Sequence, residues 1–281
     1  MKIKLALFVI FSCITMTSCN KEEKKAIKPL NYVVIIDLSD RILVKNQLDK
    51  DFFLIASLFK KFEEQSKRNL ILNAKNRFSV KIIPQKNSPL DTDYFENKLQ
   101  IYLDEINVKD KHSKLQLLSN SLSNELRKLK REALYSQKSN DYFGVDIWAY
   151  LHDYGAKLSK PAYQNTILML TDGYFDFETE SHVIKQNYQC TSTNFLKELK
   201  GANWEKIAKS KQYGLLPIQL DPKTHWIVAG FSSKNGNDIL QIEKINYFWK
   251  KWLINSGVKN PSFVLNSSMT EMKSKLQSEL N

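Results

Sequence analysis

Four short apolar runs constrain this chain more than any other feature. They are Asn31–Asp37 (NYVVIID), Arg77–Pro84 (RFSVKIIP), Asn165–Thr171 (NTILMLT) and His225–Phe231 (HWIVAGF). Three of them are apolar almost throughout and rich in Val and Ile. A strand that is half solvated alternates apolar with polar residues. A strand without that alternation must be covered on both faces, which is the situation in a parallel sheet between two layers of helices.

The segments between these runs carry helical periodicity. In Leu48–Lys67 the residues Phe52, Ile55, Leu58, Phe59 and Phe62 fall on one face. In Ser113–Tyr135 the stripe is Leu115, Leu118, Leu122, Leu126 and Leu129. Further helices are predicted over Asp91–Ile106, Gly144–Leu158, Asn194–Gln212, Asn237–Ser256 and Ser268–Leu280. Pro261–Leu265 is predicted as a short strand, and Phe175–Ile184 as a hairpin or edge strand. Strand–helix alternation of this kind predicts an α/β fold: a Rossmann-like, mostly parallel central sheet with helices on both faces. The stretch 91–140 is longer than one crossover needs and reads as a helical elaboration.

The first residues follow a different logic. Lys2 and Lys4 are followed by an apolar stretch from Leu5 to Ile14, then by Thr15, Thr17 and Ser18. A positive start, a short apolar core and a small-residue zone form a secretory signal, and the core is too short for a spanning helix. Met16-Thr17-Ser18-Cys19 resembles a lipobox, which implies cleavage before Cys19 and diacylglyceryl attachment to its sulfur. The charged run Asn20–Lys25 has no apolar residue and is expected to be a solvated tether. The expected organisation is therefore a signal peptide over 1–18, a lipidated tether over 19–30 and an α/β domain over 31–281. The expected location is the outer membrane, anchored by the lipid and facing the periplasm or the surface.

The formal net charge of +12 would suit an acidic partner, but the lysines are scattered and not interleaved with aromatics. No nucleic-acid partner is expected. The two partners expected are the membrane, through the lipid on Cys19, and an envelope protein. Once Cys13 is removed and Cys19 is lipidated, Cys190 has no intrachain partner, so it is expected to be a passive thiol. His152-Asp153 lies on a predicted helix with no second histidine at metal-ligand spacing, and it reads as surface.

Chemistry in an open parallel sheet gathers beyond the C-terminal ends of the strands. The first strand here ends Asp37-Leu38-Ser39-Asp40-Arg41, and the third ends Thr171-Asp172-Gly173. A later turn, Gly144-Val145-Asp146, precedes a helix. Asp and Ser oxygens two residues apart, with a second Asp from a neighbouring strand, make an all-oxygen set suited to Mg²⁺ or Ca²⁺. These residues resemble the von Willebrand factor A domain and its metal-ion-dependent adhesion site. That family's pattern is Asp-x-Ser-x-Ser after the first strand, a Thr on a middle loop and an Asp after a later strand.

The resemblance implies metal ligation by Asp37, Ser39 and Asp172; at the departing positions Asp40, Asp141 or Asp146 would serve as substitute oxygen donors. Asp40, Arg41, Gly173 and Asp176 would form the rim. It also implies a protein-binding domain in which a partner's carboxylate completes the metal's coordination. Two positions depart from the pattern: Arg41 stands where the third oxygen ligand belongs, and Val145 where the Thr belongs. Arg41 would place a guanidinium near the site and offset the need for a metal, leaving a metal-free scaffold as the alternative. A second alternative reads Asp37 as the nucleophile of a Mg²⁺-dependent phosphatase resembling the haloacid dehalogenases, with Asp172 and Asp176 holding the ion. Ser39 is a poor substitute for that family's acid. A binding protein, not an enzyme, is the leading expectation.

Overall fold

The computed structural model describes residues 28–68, 70–176, 183–234 and 238–280. The expected signal peptide, Cys19 and the expected tether through residue 27 lie outside the described residues.

Six strands form the central sheet. They are β1 (Leu30–Asp37), β2 (Arg77–Ile83), β3 (Gln100–Tyr102), β4 (Gln164–Leu170), β8 (His225–Phe231) and β9 (Ser262–Leu265). A second, small sheet contains β5 (Lys185–Gln186), β6 (Gln189–Cys190) and β7 (Gly214–Leu215). The strand order of the main sheet is β3-β2-β1-β4-β8-β9. All neighbours are parallel except β3, which runs antiparallel to β2 at the edge. The four runs recognised in the sequence are β1, β2, β4 and β8, the contiguous centre of the sheet. Two-sided burial is the physical reason for the near-continuous apolar character of β1, β4 and β8.

Two cores sit on the two faces. On one, Tyr32, Val34 and Ile36 of β1 meet α1 (Gln47–Arg68), α3 (Lys111–Ala133) and α7 (Met269–Glu279). Helix α1 contributes Leu48, Phe52, Ile55, Leu58, Phe59 and Phe62, all buried. At about 1.5–3 kcal/mol for each large apolar side chain removed from water, this one stripe supplies roughly 9–18 kcal/mol of gross stabilisation. On the other face, Val33 and Ile35 meet α4 (Ile147–Tyr154), α5 (Trp204–Ser210) and α6 (Gln241–Asn255). There Phe175, Trp249 and Trp252 pack as an aromatic cluster, with ring centroids 4.8 to 5.4 Å apart. Both cores are built from residues of the 30–280 span.

The expected helices differ from the observed ones in three places. Over 91–106 the helix is only α2 (Thr92–Lys98), capped by Asp91, which accepts from the Tyr94 amide at 2.9 Å. The chain then turns to form β3, because Phe78 and Ser79 of β2 have free edges that Ile101 and Gln100 satisfy. Pairing with a partner distant in sequence overrides local periodicity here. The helix expected over 194–212 is divided into a 3₁₀ segment, Thr193–Glu198, and α5, with Gly201 between them at φ 73°. The helix expected over 144–158 begins only at Ile147, where Asp146 caps it, and ends in a 3₁₀ turn. Of the expected strand Phe175–Ile184, residues 177–182 lie outside the described residues. Within 91–140, β3 joins the main sheet and the leucine stripe of α3 enters the same core as α1.

Candidate functional site

The chain leaves β1 for β2 on one side of the sheet and later places β4 on the other. The crevice between the ends of β1 and β4 is therefore the topological switch point, where open α/β sheets bind ligands. Asp37 is the last residue of β1, and Asp172 lies just beyond β4. The fold thus brings together the two carboxylates that the sequence placed at strand ends.

Asp37 is fully buried. One carboxylate oxygen accepts from the Ser39 amide at 2.8 Å and the other from the Thr171 hydroxyl at 2.8 Å. Burial pushes its pKa up, against the lowering effects of the Arg41 charge and these hydrogen bonds. The Ser39 hydroxyl lies near enough to help lower that pKa, yet it stands outside hydrogen-bond geometry and is buried without a partner.

Arg41 occupies the middle of this arrangement. Its guanidinium is buried and grips Asp51 of α1 through two bonds, Nη1 to Oδ2 at 2.7 Å and Nη2 to Oδ1 at 3.2 Å. Nη1 also donates to the Asp37 backbone carbonyl at 3.1 Å. Burial alone would lower its pKa, but the charges of Asp51 and Asp37 outweigh that and hold it above its ordinary value. Gln47 donates to Asp51 at 3.1 Å, and Asn266 donates in turn to Gln47 at 3.2 Å. Planar, two-point recognition of a carboxylate by a buried guanidinium is strong, and its geometry is fixed.

Asp172 is buried beside the same charges. Its pKa is pushed up to about 7, first by burial and then by the Asp37 charge, with Lys234 and Arg41 opposing. Lys234 lies 3.7 Å from Asp172 and 3.3 Å from Asp40, and its ammonium sits 4.7 Å from the centre of the Tyr174 ring. Gly173 adopts φ 96°, and a Cβ there would meet Ile245 at 2.4 Å. Only glycine fits this turn beneath α6.

The remaining predicted residues have other duties. Asp146 is the N-cap of α4 and accepts from the Ala149 amide at 2.8 Å, so the structure spends it on a helix end. Asp176 accepts from the Thr193 hydroxyl at 2.7 Å. Val145 is buried in the second core. His152 and Asp153 are paired on the surface of α4. Cys190 is buried, and burial pushes its thiol pKa up, as suits a passive thiol.

Sequence reasoning missed Asp51, Gln47, Gly230 and Lys234. Asp51 interrupts the apolar stripe of α1 between Leu48 and Ile55, and a charge on a buried helix face signals a buried partner. Gly230 interrupts the β8 run, and an isolated glycine in a strand marks a close approach. A Cβ there would stand 3.0 Å from the Thr171 carbonyl and 3.2 Å from the Arg41 guanidinium, at a φ of 103°.

A divalent cation does not fit this donor set. Each Asp37 oxygen already accepts a hydrogen bond, and Arg41 and Lys234 supply positive charge beside the carboxylates. Among the described residues, no group of three or more His, Cys, Asp and Glu side chains converges to hold an ion. The phosphatase reading also lacks its nucleophile, because the Asp37 carboxylate has no exposed face.

No protein-family model matches the chain, and no curated protein matches it. Among solved structures, it is similar to the pilus adhesin SpaC from Lactobacillus rhamnosus GG, with 12% identity and a TM-score of 0.46, over 91% of this chain and 30% of that one. It is also similar to proximal thread matrix protein 1 from the mussel byssus, with 13% identity and a TM-score of 0.34, over 90% of this chain and 48% of that one. A further structure of the mussel protein, described as having a zinc-occupied MIDAS motif, aligns at 12% identity with a TM-score of 0.33. The chain spans between about a third and a half of the length of these proteins.

Proposed function

We propose that this chain is an exported lipoprotein whose von Willebrand factor A-like domain binds an envelope protein without a divalent cation. The observation that carries the metal-free reading is Arg41. Its guanidinium lies among Asp37, Asp51 and Asp172 and supplies from the chain itself the positive charge that an adhesion-type site takes from a metal. A dication entering beside a buried guanidinium would meet repulsion at low effective dielectric, where such terms are large.

Three features support a binding role. Asp37 is held by hydrogen bonds from the Ser39 amide and the Thr171 hydroxyl, and Asp51 by the Arg41 ion pair, so these two carboxylates serve the architecture beneath the rim. Above them Tyr174, Lys234 and Leu240 border an open groove of about 760 Å³, with Ile239 on its edge exposed to 91%. An apolar residue so exposed beside a groove with lysines on its walls suits a protein surface carrying acidic groups. The signal peptide and Cys19 supply export and anchoring. No helix among the described residues is long and apolar enough to cross a membrane.

Calorimetric titration of Mg²⁺, Mn²⁺ and Ca²⁺ into the folded protein tests the metal-free reading. The expected result is no saturable heat. Saturable binding that disappears in Asp37→Ala and in Asp172→Ala would overturn it. In-cell photocrosslinking from position 239, with and without a chelator, tests the binding role. A discrete protein adduct insensitive to chelation is expected, whereas an adduct that chelation abolishes would restore the metal to the mechanism.

A further inference from the structure

We propose that the pole of the domain from which the N-terminal tether leaves is a docking face for an anionic lipid surface, so that the switch-point rim points away from the membrane. This rests on the reading of Cys19 as lipidated, which places a bilayer within reach of that pole.

The argument begins with where the chain ends. Residue 28 immediately precedes β1, at the N-terminal ends of the parallel strands. Asp37 lies at the other end, so β1 separates the two poles by about 26 Å. The nine residues from Cys19 to Ile27 span at most about 30 Å when fully extended. A lipid on Cys19 therefore keeps this pole within about 30 Å of the bilayer.

The surface of that pole has the composition such contact needs. Two 3₁₀ turns, Ile71–Asn73 and Val108–Asp110, lie side by side there. They are tied to α3 by Lys111, which donates to the Ala74 carbonyl at 2.6 Å. Around them three large apolar side chains face solvent: Leu70 at 69% exposure, Val108 at 54% and Leu72 at 46%. Leu70 also holds φ at 60°, a conformation costly for leucine that no burial repays in the free domain. Exposed basic residues surround them: Lys28, Arg68 and Lys75 on the walls of one groove, and Lys109 on the second turn. The acidic residues of the pole are largely engaged, since Asp104 and Glu105 both bind Arg77 at 2.7 Å. Asp110 is partly buried at the start of α3. Apolar side chains that can enter the headgroup layer, ringed by lysine and arginine, are the signature of an interfacial contact with anionic lipid.

The test uses the chain from Asn20 onward, without lipid, in cosedimentation with large vesicles of phosphatidylcholine alone or with phosphatidylglycerol at a third of the lipid. Binding to the phosphatidylglycerol vesicles is expected, and weak or no binding to the neutral ones. The triple variant Arg68→Gln, Lys75→Gln, Lys109→Gln should lower the partition coefficient on the order of a hundredfold, given the attraction of each basic side chain to an anionic surface. Leu70→Ser with Leu72→Ser should lower it while leaving the charge intact. The comparison variant Arg127→Gln, Lys128→Gln, Arg131→Gln removes equal charge from the far end of α3 and should bind as the unmodified chain does. Equal loss in the two triple variants would overturn the proposal, as would equal partitioning to neutral vesicles or no binding at all. Circular dichroism confirms that each variant is folded. Labelling of the envelope protein with radioactive palmitate, lost in Cys19→Ser, reports separately on the lipidation reading.

Discussion

Replacing Arg41 by methionine tests the site most directly. The Arg41 and Asp51 side chains are 1% and 0% exposed, so solvent screening gives little relief. Breaking a buried pair from one side leaves the other charge uncompensated and costs about 3–5 kcal/mol. Asp37 loses its neighbouring cation at the same time. For a domain of this size each kcal/mol is worth about 2–4 °C, so the midpoint of thermal unfolding should fall by roughly 6–20 °C. Urea denaturation, followed by tryptophan fluorescence, gives the same quantity independently. Protonation relieves a buried carboxylate that has lost its cation, so the deficit of Arg41→Met should shrink as the pH is lowered from 8 to 5. The double variant Arg41→Met, Asp51→Leu removes both charges and keeps most of the volume. It should recover much of the loss, giving a coupling energy well above that of a surface pair. A loss below about 1 kcal/mol in Arg41→Met would place the guanidinium in solvent, where exposed pairs fall. That result would refute its role as resident cation.

Three further outcomes follow from the same geometry. Arg41→Ser removes the resident cation without creating a cluster of side chains that could hold an ion, so no saturable Mn²⁺ heat is expected from the folded variant by calorimetry; saturable binding would show that the guanidinium alone kept a metal out. Asp172 has a folded pKa raised from 3.8 to about 7, so its contribution to stability is present below its unfolded value and is lost as pH rises through about 7. Asp172→Asn should therefore flatten the decline in stability between pH 5 and 8 and make the protein more stable than the parent at pH 8; an unchanged slope in denaturant titrations would count against the burial argument. Asp146→Ala removes the cap of α4 and should cost about 0.5–2 kcal/mol in the same titrations, with no change in ion binding.

The rim of the site and its floor differ in kind. The floor, Asp37, Arg41, Asp51 and Thr171, is buried and tied together by hydrogen bonds, with the Arg41 Nε left unpartnered. On the rim, Ile239 is open to solvent and Lys234 partly so, while the Tyr174 ring is buried beneath the Lys234 ammonium. In a site of this kind Arg41 holds together the ends of β1 and α1, so its loss would deform the rim even if no partner touches it.

Much of the fold was legible because its cause is local. Two-sided burial leaves an apolar run with little alternation, and β1, β4 and β8 could be read from that pattern, with β2 (RFSVKII) the more broken case. A helix that lies on a sheet leaves a stripe, and α1, α3 and α6 could be read from theirs. The order of strand ends placed Asp37 and Asp172 as candidates, and the departure at Arg41 already raised the idea of an internal cation. The lone glycine of β8 and the lone acid on the buried face of α1 were visible, but nothing local said what they faced.

Only the tertiary structure decided those partners. The Thr171 hydroxyl reaches Asp37 across 134 residues because β1 and β4 pair in one register, and a shift of one residue would turn either side chain to the opposite face. Lys234 reaches Asp40 across 194 residues for the same reason of assembly. Asp146 looked like a spare ligand by composition and became a helix cap because α4 begins one residue later. Gln100–Tyr102 looked helical and became a strand because the edge of β2 required a partner. Burial patterns are written into neighbouring residues, whereas pairings depend on how distant elements are brought together. The sequence by itself therefore determined the sheet, its layers and the strand ends, while packing decided that the Arg41 guanidinium would be buried against Asp51 beside Asp37 and Asp172.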